Sequence, residues 1–224
     1  VEPPGHLEFL ADPDRVDIAA SVMDWFEETT APEDRACIVM SGDINTATEL
    51  QRRGYSPAST GPYFLRLIRD LADLPAPITP PDYTIRHVRP GQAAQRAAVH
   101  RAGWSDFNSD LPAEDYAHLM QTYPYRPELD LVVAAPDDTW VASALGWYDP
   151  VNRVGLVEPV SCVPAHRRRG LATALNIALL HAFTDHGATT AVILPRGDDA
   201  YPAPRVLYEA IGYQPHGART VLYT

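Results

Sequence analysis

A chain of 224 residues with 46% hydrophobic and 21% charged content is long enough to bury a sizeable core and has the composition of folded protein. Its net charge of −11 excludes a general role on nucleic acid, which needs a basic footprint to displace counterions. All 18 cationic residues are Arg, and without Lys there is no Schiff-base lysine, phosphate-loop lysine or lysine general base.

Residues 12–28 read as an amphipathic helix, with Val16, Ala19, Ala20, Met23 and Phe26 at helical spacing. Residues 35–40 form a short apolar run suited to a buried strand. Residues 43–53 read as a second helix stopped by Gly54, and residues 62–69 as a strand. Pro75-Ala76-Pro77-Ile78-Thr79-Pro80-Pro81 cannot sustain a helix, and it marks the expected boundary between domains 1–78 and 79–224. Beyond it, residues 83–88 alternate as a strand, and 91–103 and 112–122 read as helices. Residues 129–135 and 139–148 form a hairpin across Pro136-Asp137-Asp138. Residues 154–163 continue as a strand that Pro159 should interrupt or bulge. A long helix over 169–186 follows, then a strand at 188–194, a helix at 203–211, and one or two strands over 213–223. The plan is mixed α/β.

Cys37 and Cys162 lie far apart with no C-x-x-C pair, so no metal site or redox dithiol is expected. No run approaches the roughly 18 apolar residues of a membrane span, and no signal-peptide pattern opens the chain. A soluble, cytoplasmic protein with no membrane partner is the expectation. The chain begins at Val1 rather than Met, so further upstream sequence is expected. There is also an internal echo. Leu50-Gln51-Arg52-Arg53-Gly54-Tyr55-Ser56-Pro57 parallels Tyr208-Glu209-Ala210-Ile211-Gly212-Tyr213-Gln214-Pro215, each copy ending a helix at Gly before an aromatic residue.

The stretch that carries chemistry is Val160-Ser161-Cys162-Val163-Pro164-Ala165-His166-Arg167-Arg168-Arg169-Gly170-Leu171-Ala172-Thr173. A strand runs into a basic, glycine-containing turn that opens a long helix. Such a turn presents backbone N–H groups and the positive end of a helix dipole to an anion, and a pyrophosphate suits it. Arg167-Arg168-Arg169-Gly170-Leu171-Ala172 matches the signature Arg/Gln-x-x-Gly-x-Gly/Ala of GNAT-superfamily N-acetyltransferases. Leu207-Tyr208-Glu209-Ala210-Ile211-Gly212-Tyr213 matches that family's second hallmark, Leu-Tyr-Glu-x-x-Gly-aromatic. From Tyr83 to Tyr223 the chain resembles this family in element order as well. It departs from the family at Tyr201, where members often carry Asn seven residues before the motif Tyr, and at Pro202 and Pro204.

The resemblance implies a central mixed, splayed β-sheet flanked by helices. A partial GNAT-like domain at 1–78, catalytically degenerate, would precede a catalytic domain at 79–224. This is the tandem arrangement, with a distant likeness to the mycothiol synthase type. It implies acetyl-CoA as cosubstrate, bound by backbone groups of Cys162 and Val163 and by Arg167, Arg168, Arg169, Gly170, Leu171, Ala172 and Thr173. Tyr208 would be the general acid for the departing thiolate, although the same spacing suits a tyrosine packed between helix and sheet. Glu158, among apolar Leu156, Val157 and Val160, would be the base or an acceptor-binding carboxylate, or else an exposed residue beside a bulge. Trp104, Phe107, Tyr116, Tyr123 and Tyr125 either line an acceptor cleft or belong to the core. The implied activity is direct acetyl transfer to the primary amine of a small molecule. A non-catalytic acetyl-CoA sensor and an enzyme for a larger acyl-CoA are the alternatives. A homodimer is compatible with the sequence.

Overall fold

The computed structural model describes residues 5–12 and 14–224. Residues 1–4 and 13, which belong to the expected first domain and first helix, lie outside the described residues. The elements run β1 (His6–Glu8), α1 (Val16–Thr29), β2 (Ala36–Met40), α2 (Ile44–Arg52), β3 (Leu65–Asp70), β4 (Thr84–His87), α3 (Ala93–Gly103), α4 (Ala113–Leu119) and β5 (Asp130–Ala134). They continue with β6 (Trp140–Asp149), β7 (Val154–Cys162), α5 (Leu171–Asp185), β8 (Thr190–Ile193), α6 (Ala203–Ala210) and β9 (Gln214–Tyr223). Each expected helix and strand is present within a few residues of its expected limits. Strand β1 lies outside those expectations, and 213–223 is one strand.

Compactness divides the chain differently from a cut at residues 78–79. One unit takes the chain up to Leu67 together with Leu194–Val206 and Pro215–Thr224. The other takes Ile68–Ile193 and Leu207–Gln214. The reason lies in non-local pairing: β9 runs antiparallel to β2, with Cys37 opposite Tyr223 and Val39 opposite Val221. A proline-rich stretch cannot reveal where the C-terminus returns.

In the first unit β1 adds parallel to β2. Helix α1 buries Ala19, Met23 and Phe26 on one face. Met23 and Phe26 pack with Cys37, Val39, Leu50 and Tyr223. Asp43 caps α2, its carboxylate accepting from the Thr46 N–H at 3.0 Å. At the far end of α2, Arg53 binds Glu49 at 2.6 Å, Asp24 at 2.7 Å and Glu27 at 2.9 Å, which fastens α2 to α1.

In the second unit the strands lie in the order β8-β7-β6-β5-β4. All pairs are antiparallel except β7–β8. Every residue of β5 is buried and nearly all of β6, so this sheet is covered on both faces. Ser143 and its cross-strand partner Ser161 face α3, where a Cβ on Gly103 would lie 2.5 Å from Ser161. Gly146, an odd number of residues along, faces α5, where its Cβ would meet Phe183 at 2.6 Å. Gly155 makes the same close approach to Phe183. Glycine at these positions lets the helices sit tight on the sheet.

Candidate active site

Strand β7 pairs with β8 only at Val154–Thr190, Gly155–Ala191 and Leu156–Val192. It then runs on to Cys162, still paired with β6, while β8 ends at Ile193. The two parallel strands therefore part after Leu156, and one edge of β7 is left by its neighbour. Within this stretch Ala144 faces Val160 and Gly146 faces Val157, so Glu158 and Pro159 together oppose the single residue Leu145. This is a β-bulge, and it accommodates a proline that cannot donate to the ladder. The Glu158–Pro159 peptide is cis. Glu158 is exposed, and its carbonyl accepts from the Trp147 indole at 3.0 Å.

Backbone groups point alternately to the two edges of a strand. The Val163 N–H donates to the Val141 carbonyl of β6 at 2.8 Å. The N–H and carbonyl of Cys162 consequently face the opposite, open edge. The structure thus divides two residues that the motif treats as a pair: Cys162 serves the open edge, and the N–H of Val163 is committed to the sheet. Burial pushes the Cys162 thiol pKa up, and Arg167 only partly opposes that shift, so the thiol is unsuited to act as a nucleophile.

After β7, a single 3-10 turn at Pro164–His166 leads into Arg167. Arg168 and Gly170 both take left-handed backbone, at φ +63° and +79°. For Gly170 this geometry costs nothing, whereas any side chain there would be strained. Helix α5 starts on Gly170 with no side-chain cap, and the first helical backbone bond is Ala174 N–H to the Gly170 carbonyl at 3.0 Å. The N–H groups of Leu171, Ala172 and Thr173 precede that bond and, lying in the first turn, have no intrahelical acceptor. A basic turn leading into open N–H groups and the positive end of a 15-residue helix forms an anion cradle.

The three arginines of the turn have different fates. Arg167 is spent internally: Nε donates to the Cys162 carbonyl at 3.0 Å, Nη2 to the Gly103 carbonyl at 3.2 Å, and Nη1 pairs with Asp106 at 2.7 Å. It braces the end of β7 against the C-terminus of α3. Arg168 and Arg169 are exposed. Arg169 donates to the Tyr83 hydroxyl at 3.1 Å. Tyr208, on α6, is 6% exposed and meets the ring of Tyr213 edge-on at 5.9 Å. The residues of the basic turn are thus contiguous and Glu158 lies on the strand that leads into it, while Tyr208 comes from a separate helix.

The aromatic candidates for an acceptor cleft separate as well. Tyr116 and Tyr125 donate to the same oxygen of Asp130, at 2.7 and 3.0 Å, and Arg96 donates to the other at 2.8 Å. Arg96 and Asp130 are fully buried, and the Arg96 guanidinium lies 4.8 Å from the Tyr116 ring. Burial holds both tyrosine hydroxyls well above their ordinary pKa. Tyr116 is core, together with Arg96 and Asp130, and Tyr125 is half-buried at its edge. One turn further along α3, burial and then Arg96 lower the His100 pKa to about 4, so this imidazole is neutral near pH 7. Trp104 stacks on His100 and meets Phe107 at 5.4 Å, and Tyr123 stands 87% exposed. The Arg96–Asp130 pair is nearly invisible in the sequence, where its one signal is a pair of opposite charges at buried periodic positions. Among the described residues no cluster of three or more His, Cys, Asp or Glu side chains is placed to hold a metal, and no helix is long and apolar enough to cross a membrane.

Residues 96–213 match the acetyltransferase (GNAT) family model. A GCN5-related N-acetyltransferase from Sphaerobacter thermophilus is similar in structure, with TM-score 0.71 and 20% identity over 97% of this chain and 71% of that one. A second, from Kribbella flavida, gives 0.63 and 24% over 98% and 77%. A tandem GNAT protein from the clavulanic acid biosynthesis pathway gives 0.69 and 18% over 98% and 74%. At these identities the likeness shows the fold, a mixed α/β sheet that splays and is flanked by helices. No curated protein matches the sequence, and a special likeness to mycothiol synthase is not supported.

Proposed function

The chain belongs to the acetyltransferase (GNAT) family, and from that premise we propose that it moves an acetyl group from acetyl-CoA directly to the primary amine of a small molecule. The observation that carries this reading is the conjunction of two features on one strand–turn–helix. The edge of β7 is left by β8 beyond Leu156, and α5 opens without a side-chain cap behind a left-handed glycine. An extended amide-bearing arm suits such an edge, since it can hydrogen-bond the N–H of Cys162 as a further strand would. A pyrophosphate suits the N–H groups of Leu171, Ala172 and Thr173 together with Arg168 and Arg169.

When bound, acetyl-CoA supplies an activated thioester. The chain's part is to position, polarise and move protons. The Cys162 N–H donates toward the open edge, where a thioester carbonyl would gain from it as negative charge develops. Glu158, exposed at the bulge where the strands part, accepts the proton that an ammonium must lose before it can attack. The Tyr208 hydroxyl returns a proton to the departing thiolate. The net charge of −11 favours the approach of a cationic acceptor. The N-terminal segment reads as the back half of a second, catalytically silent copy of the fold. In support, its Gly54 takes φ +96° where Gly212 takes +92°. Likewise Tyr55 N–H bonds the Leu50 carbonyl as Tyr213 N–H bonds that of Tyr208.

Burial of Tyr208 favours a second reading, a module that binds acetyl-CoA without turning it over. Release of CoA thiol from acetyl-CoA, with and without a panel of primary amines, separates the two. Amine-dependent release that falls by about 10²-fold in Tyr208→Phe is the expected result. Binding with no release on any amine, or full activity in Tyr208→Phe, would count against transfer with Tyr208 as the acid.

A further inference from the structure

Tyr83 stands at the mouth of β4, 86 residues before Arg169, and belongs to neither sequence motif. Its hydroxyl is the hub of a three-residue chain on the cofactor turn. It accepts from Arg169 Nη1 at 3.1 Å and lies 3.0 Å from His166 Nδ1. A hydroxyl that accepts from a guanidinium keeps its own proton to give. The hydroxyl therefore bridges the Arg169 guanidinium and the His166 imidazole. The two rings also meet at right angles, 5.9 Å apart. The segment that delivers Tyr83 reaches the turn a second time, since Pro80 Cγ lies 3.8 Å from where a Cβ on Gly170 would stand.

This hub sets Arg169 apart from Arg167. Arg167 has both Nη groups and Nε bonded to the protein. Arg169 uses one N–H on Tyr83 and a longer one, at 3.4 Å, on the Ala165 carbonyl. The remaining N–H groups of its fork are open to an anion, and the side chain is exposed. A long exposed arginine ordinarily gives up rotamer freedom to hold a phosphate. One already latched by a hydroxyl, itself fixed by a histidine in the same turn, has given up much of it beforehand.

We infer that Tyr83 is a positioning residue for the cofactor, holding Arg169 over the anion cradle so that the guanidinium meets a phosphate group of acetyl-CoA already oriented. The inference rests on the acetyl-CoA reading above. It is tested by calorimetric titration of acetyl-CoA into the wild type, Tyr83→Phe, Arg169→Gln and the double variant, with thermal unfolding to check that each is folded. Loss of the latch weakens binding by about tenfold in Tyr83→Phe. The same substitution has no further effect once Arg169 is Gln, because Tyr83 acts through that side chain. Should Tyr83→Phe not fold, His166→Phe releases the hydroxyl from its other partner and is expected to shift binding in the same direction. Unchanged affinity in Tyr83→Phe, or an equal loss in both Arg169 backgrounds, overturns the inference and leaves the transferase reading standing. A wild type that does not bind acetyl-CoA removes both.

Discussion

Asp130 receives three hydrogen bonds in the interior, from Arg96, Tyr116 and Tyr125. Such a pair is poor evidence of net stabilisation when compared with an apolar substitute, yet removing one charge alone strands the other. Asp130→Asn keeps the size and one acceptor but leaves the buried Arg96 cation without a counter-charge. Denaturant unfolding should show a loss of about 3 kcal/mol; a loss below about 1 kcal/mol would mean that water reaches the guanidinium and the pair is not a closed core contact. The residues hardest to read from sequence share this character. Arg167, at the head of an anion motif, turns inward to Gly103 and Asp106 because α3 ends beside β7, and that depends on a packing no motif encodes. Tyr83 and His166 meet across 83 residues. Gly170 is legible because a left-handed N-cap requires a residue type that the sequence displays.

At the scale of elements, the position of the site depends on how α3 and α5 clasp β6 and β7. Of the two outcomes expected at Pro159, interruption or bulge, the bulge is the one present, since a proline within a paired strand has few other places to go. The end of β8 at Ile193 is less legible, since the apolar run over 188–194 gives no sign of where pairing with β7 stops. The close approach of α3 is set by Gly103, whose Cβ would fall 2.5 Å from both Cβ and Oγ of Ser161. Gly103→Val therefore has to push α3 off the end of β7, and Arg167 with it. The expected cost is about 2 kcal/mol of stability, together with weaker acetyl-CoA binding. Calorimetry and thermal unfolding on the same sample check both, and an unchanged affinity would show that the brace at Arg167 does not govern the cradle.

For the whole molecule, local patterns carry the element order and the two motifs, while non-local pairing does not show through. The division into compact units follows β9 back to β2, and β1 is a three-residue strand recruited by a parallel neighbour, too short to carry a periodicity. The matching helix ends at Gly54 and Gly212 are visible because a left-handed glycine followed by an aromatic is a local signal. The central claim is that acetyl-CoA lies along the open edge of β7 and against the start of α5. Amide chemical-shift mapping on the full chain tests it most directly. On addition of acetyl-CoA, the largest changes are predicted at the N–H groups of Cys162 and of Leu171, Ala172 and Thr173, with small changes at Val163, whose N–H is already bonded within the sheet. Saturating changes confined to other parts of the chain, or none at all, would contradict that placement.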